Sequence, residues 1–141
     1  TCMGTDGDDL ILGSEVTDVI VALAGNDVVH GDVGTDTICG GPGNDSLFGA
    51  KESDTMLGEE GDDWLFGAPG DDDLRGGPGS DVLWGGPGQD KLSGGDGDHD
   101  VCMLQREMGT ADASCETIYP PQGYVHDQEP EPGLLKAGKP K

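Results

Sequence analysis

Ten aspartates stand nine residues apart: Asp9, Asp18, Asp27, Asp36, Asp45, Asp54, Asp63, Asp72, Asp81 and Asp90. A carboxylate repeated at one spacing among glycines is suited to holding a hard cation through oxygen. It does not read as an acid–base pair, which needs two groups in unlike environments. His30, His99 and His126 are scattered, and no Ser or Cys nucleophile has a basic partner placed by the same spacing. The expectation is a protein that is not an enzyme.

The aspartates belong to a longer period. From Gly4 to Cys102 the chain divides into eleven blocks of nine, from GTDGDDLIL to GGDGDHDVC, with no insertion or deletion. Position six is Asp in the first ten blocks. Position eight is aliphatic or Met in all of them, from Ile11 to Val101. Position four is Gly except at Val16 and Glu52. This order overrides the composition, since 33 % hydrophobic residues, 27 glycines and a net charge of −22 taken alone describe a disordered chain. Glycines at positions one, two and four suit tight turns stacked closely, and Pro42, Pro69, Pro78 and Pro87 at position three suit a turn as well. The last three residues of a block alternate out, in, out as a short strand does. One inward residue per block is a thin core, too little to hold a fold without help.

These blocks resemble the hemolysin-type, or RTX, calcium-binding nonapeptide repeat, G-G-x-G-x-D-x-U-x. The resemblance implies an all-β fold: a parallel β-roll, or β-solenoid, of eleven repeats over residues 4–102. Two repeats complete each coil, with six residues in a turn and three in a strand. It also implies Ca²⁺ as the missing stabiliser, held by the ten aspartates and by turn carbonyls. Oxygen ligands in such loops suit Ca²⁺ better than Mg²⁺ or Zn²⁺. Odd blocks would form one ladder, Asp9 to Asp81, and even blocks another, Asp18 to Asp90. Four gaps in each give about eight ions, or about +16 against −22. Metal-free chain is then expected to be largely unfolded. Weaker sites are expected at Val16 and Glu52. At the last block either His99 ends the ladder or Asp98 and Asp100 make a terminal site. Residues 96–107 also space carboxylates like an EF-hand loop, but Val101 replaces the glycine that loop needs and no helix pattern precedes it.

The period sorts side chains onto two faces. The odd face collects Leu10, Leu12, Val28, His30, Ser46, Phe48, Trp64, Phe66, Val82, Trp84, Asp100 and Cys102, including every Trp and Phe. Phe48, Trp64, Phe66 and Trp84 are the candidate interaction face, because an exposed apolar stripe normally marks a contact. Its occupant is the chain's own tail, a second copy, or a polysaccharide surface. The even face is more polar, ending in Asp73, Arg75, Lys91 and Ser93. Residues 1–3 are expected to cap the N-terminus and 103–119 the C-terminus, with 120–141 a flexible tail or linker. Cys102 and Cys115 bracket a short non-repeat segment and are the preferred disulfide. Cys2 and Cys39 fall on the even face two coils apart, about 10 Å, beyond disulfide reach.

So acidic a chain argues against nucleic acid and anionic membrane surfaces. No apolar run approaches the roughly 18 residues of a membrane span, so no membrane insertion is expected. Four cysteines permit disulfides, and the chain starts at Thr1 as a processed protein would. The expected function is a secreted, extracellular calcium-binding module that folds on Ca²⁺. The alternative is a self-assembling filament or adhesion protein using the aromatic face and the open solenoid ends.

Overall fold

The computed structural model describes residues 1–97, 99–105 and 109–118, and every regular element among them is a strand. In chain order these are β1 (Cys2–Met3), β2 (Leu10–Leu12), β3 (Val19–Val21), β4 (Val28–Val33), β5 (Thr37–Cys39), β6 (Ser46–Lys51) and β7 (Thr55–Leu57). There follow β8 (Trp64–Phe66), β9 (Asp73–Arg75), β10 (Val82–Trp84), β11 (Lys91–Ser93), β12 (Asp100–Met103), β13 (Thr110–Ala111) and β14 (Cys115–Ile118). Odd-numbered strands form one seven-stranded sheet and even-numbered strands the other, each in simple sequential order. All pairs are parallel, and from β2 to β11 partners lie eighteen residues apart, as in Ile11↔Val29 and Leu65↔Leu83. Two blocks therefore make one coil, and the fold is the all-β parallel solenoid expected.

Position eight supplies the core. Ile20, Val29, Ile38, Leu47, Met56, Leu65, Leu74, Leu83 and Leu92 are at most 3 % exposed and form one file between the sheets. The turns stack through their own backbone. The N–H of Gly61 donates to the carbonyl of Pro78, and that of Gly70 to Pro87, at 3.0 and 3.1 Å. Proline suits position three because only its carbonyl is used there.

The period slips once. Val82 pairs with Val101, Leu83 with Cys102 and Trp84 with Met103, a separation of nineteen. The eleventh block thus holds one extra residue, contrary to the uninterrupted period. Cys102, fully buried, takes the core place expected of Val101, and Asp100 takes the place expected of His99. Asp100 and Cys102 consequently point inward, and Val101 and Met103 occupy the outward positions. A one-residue shift exchanges the faces of a strand. The slipped register puts a thiol-derived apolar group in the core and a carboxylate among its own kind, and the turn absorbs the extra residue.

Beyond the repeat, β13 and β14 add one further strand to each sheet, and β1 heads the odd-numbered one. Cys102 and Cys115 are disulfide-bonded across β12 and β14 with Cα atoms 5.5 Å apart. Cys2 and Cys39 are free thiols. Cys2 pairs with Ile20, and so occupies a core position, whereas Cys39 pairs with Val21 on the outer side. They lie on opposite sides of one sheet, not on a common face, which separates them further than the spacing argument.

On the outer side of the even-numbered sheet, His30, Phe48, Phe66 and Trp84 stand in one column by register. His30 stacks on Phe48 at 4.6 Å, and Phe66 meets Phe48 and Trp84 edge-on at 6.3 and 5.5 Å. The stripe is not uniformly exposed. Leu10 and Leu12 at the N-terminal end are 69 % and 64 % exposed, Phe48, Trp64 and Phe66 are half-buried, and Trp84 is buried at 6 %. Tyr119, Pro120, Pro121, Tyr124 and Val125, the part of the 103–141 tail that could lie across it, fall outside the described residues.

Candidate metal centre

Position six closes each turn immediately before its strand, so its side chain stays at one height from coil to coil. The structure makes this row a relay. The backbone N–H of Asp9 donates to Oδ1 of Asp27, Asp27 to Asp45, Asp45 to Asp63, Asp63 to Asp81 and Asp81 to Asp100, at 2.7–3.0 Å. The even blocks repeat it from Asp18 through Asp36, Asp54 and Asp72 to Asp90, at 2.7–3.1 Å. The aspartates of odd and even blocks thus stand in two separate hydrogen-bonded rows, and Asp100 lengthens the odd one.

Each relay bond uses one carboxylate oxygen. The other, Oδ2, is buried without a hydrogen-bond partner at Asp27, Asp36, Asp45, Asp54, Asp63, Asp72, Asp81, Asp90 and Asp100. A buried, ionised, unpartnered carboxylate oxygen costs several kcal/mol unless a cation meets it. Burial accordingly pushes the carboxyls of Asp63 and Asp72 up to about 7 and those of Asp45, Asp54, Asp81 and Asp90 up to about 6, with nearby aspartate charges adding and the backbone donors opposing.

The space beside each bare oxygen is kept by the glycine at position one. A Cβ built on Gly58 would overlap Oδ2 of Asp63 and come 2.8 Å from the carbonyl oxygen of Gly76 in the next coil. Gly31, Gly40 and Gly67 stand in the same relation to Asp36, Asp45 and Asp72. Carboxylate and carbonyl oxygens thus converge on a cradle that a methyl group would fill. No three His, Cys, Asp or Glu side chains cluster anywhere among the described residues. The oxygens at each cradle are one carboxylate of the turn and a carbonyl of the next coil, which is hard-cation chemistry and unsuited to Zn²⁺. The donor set fits Ca²⁺.

The glycine exceptions behave differently from one another. Glu52 itself adopts the left-handed angle, φ 73°, and Asp54 keeps its bare oxygen, so the sixth block retains the ladder geometry. Val16 is 66 % exposed and lacks that angle, and in its block Oδ2 of Asp18 is already bonded by Ser14. Residues 100–103 of the EF-hand-like segment are strand β12, which removes that reading.

A second ladder at position five escaped the sequence reading. Asn26 donates its backbone N–H to Oδ1 of Asp8, Asn44 to Asn26, Asp62 to Asn44 and Ser80 to Asp62, at 2.8–3.0 Å. Here the acceptor precedes the donor in the chain, opposite to position six, so each coil is tied in both directions. The signal was legible: position five is Asp, Asn, Ser, Thr or Gln from Asp8 to Gln89.

Comparison with known proteins agrees with this geometry. The family described as RTX calcium-binding nonapeptide repeat (four copies) matches residues 3–38, 12–47, 40–74, 48–81 and 66–98. No curated relative matches the chain. With overlapping matches running from residue 3 to 98, the chain belongs to the RTX, hemolysin-type calcium-binding repeat family.

Proposed function

We propose that the chain is a secreted module that Ca²⁺ folds, with a structural or stabilising role outside the cell. The observation that carries this reading is the row of bare, buried Oδ2 atoms, which makes the metal-free roll expensive and the calcium-bound one favourable. A core one residue wide cannot offset that cost. Calcium at extracellular levels is available to weak, all-oxygen sites, and the Cys102–Cys115 bond suits an oxidising compartment. The nine-residue aspartate period by itself leaves gaps for about eight ions.

Far-UV circular dichroism during a calcium titration tests the proposal. In excess chelator at pH 7.5 the chain is expected to be largely unstructured and to gain its β spectrum cooperatively as Ca²⁺ is added. A full β spectrum in chelator overturns it. A second reading, assembly through the N-terminal end, is favoured by Met3, Leu10, Leu12 and Val16, all 64–69 % exposed beside the open edges of β1 and β2. Light scattering in the same titration separates the two, since assembly adds a concentration-dependent increase in size.

A further inference from the structure

The two ladders do not start where the aspartates start. At Asp9, Oδ2 accepts the backbone N–H of Thr5 at 2.6 Å and its hydroxyl at 2.9 Å. At Asp18, Oδ2 accepts the N–H of Ser14 at 2.8 Å and its hydroxyl at 2.6 Å. These are the oxygens whose equivalents are bare from Asp27 to Asp100.

Thr5 and Ser14 are position two of the first and second blocks, and a hydroxyl residue occurs at position two nowhere later in the repeat. The backbone changes with the side chain. From Leu23, φ 82°, to Gly95, φ 108°, position two is left-handed in every later block, and Thr5 and Ser14 are not. Left-handed residues such as Gly41, Glu59 and Gly77 send their N–H to a carbonyl of the next coil, at 2.8–3.0 Å. Thr5 and Ser14 instead turn it onto their own aspartate. Two donors then satisfy an oxygen that elsewhere awaits a cation, which is how a charged acceptor is stabilised without metal. At the other end Asp100 takes a ladder place: its Oδ1 accepts from Asp81 at 3.0 Å, its Oδ2 is bare, and a Cβ on Gly94 would overlap that oxygen.

We infer that both metal ladders begin one coil later than the aspartate period and that the odd one also runs one coil further. Thr5 and Ser14 close the N-terminal ends without an ion, and Asp100, outside the nine-residue spacing, holds the last ion of the odd ladder. Asp9 and Asp18 serve as hydrogen-bonded end caps. The inference rests on the reading that the bare oxygens take Ca²⁺.

The test is calcium bound per chain, measured by elemental mass spectrometry on the full chain equilibrated at saturating Ca²⁺, for wild type, Asp9→Ala, Asp18→Ala, Asp63→Ala and Asp100→Ala. Asp63→Ala and Asp100→Ala should each lose about one ion, and Asp9→Ala and Asp18→Ala none. Loss of an ion from Asp9→Ala or Asp18→Ala overturns the inference, as does full occupancy in a folded Asp100→Ala chain. Circular dichroism on the same samples checks folding, and if Asp100→Ala does not fold, the two N-terminal variants still decide the matter. Wild type that binds no calcium defeats the proposed function instead.

Discussion

Gly61 shows how little room a turn leaves. Its φ is +135°, its N–H is committed to Pro78, and a Cβ there would overlap the carbonyl oxygen of Gly43 in the preceding coil. Gly61→Ala should cost about 1–3 kcal/mol, through backbone strain and displacement of the neighbouring coil. Urea denaturation at saturating Ca²⁺ measures it. Gly7, with nothing within 4 Å of an added Cβ and no left-handed angle, is the control: Gly7→Ala should change stability by less than about 0.5 kcal/mol. Equal effects at the two sites would refute the packing argument. At this scale the sequence was informative about type and silent about state. It marked the recurring aspartate, yet Asp9 and Asp27 share a sequence position and differ in whether Oδ2 is bonded or bare.

Three-residue strands have little stability of their own, so each depends on its neighbours in the stack. A strand contributes one buried residue, and Leu65 in β8 sits between Leu47 and Leu83 with 2 % of its surface exposed. Leu65→Ala leaves a void in a core one residue wide and should cost about 2–5 kcal/mol of calcium-bound stability, read by chemical denaturation at fixed free Ca²⁺. A change under about 1 kcal/mol would mean that the coils close over the gap. The outer positions of the same strand are a separate matter. Phe66 is half-buried and meets Phe48 and Trp84 edge-on, and His30 stacks on Phe48, while Trp64 stands in the next column between Ser46 and Val82.

For the whole molecule the governing quantity is the charge held inside. The folded-state pKa values of the aspartates in the middle of the ladders lie above the ordinary 3.8, at about 6 for Asp45 and Asp54 and about 7 for Asp63 and Asp72. The metal-free fold binds more protons than the unfolded chain between about pH 4 and 7, so its stability is greatest below the unfolded pKa and is lost as pH rises through 6–7. In chelator, β signal should therefore be stronger at pH 4.5 than at pH 8. With Ca²⁺ the dependence reverses, because protons compete for Oδ2, and the calcium midpoint should rise as pH falls from 7.5 to 5.5. A midpoint independent of pH would show that these carboxylates are not the ligands.

The sequence by itself determined the coil, because a nine-residue period dictates which residue turns, which faces the core and which carries the carboxylate. It also determined the ladders and the Cys102–Cys115 bond, through phase and proximity. Only the tertiary structure decided where the ladders begin and end. That depends on one extra residue in the eleventh turn, on two hydroxyls bending onto Asp9 and Asp18, and on contacts eighteen or nineteen residues away. A period is a local rule, and the boundary of a stack is set by what each coil finds on either side.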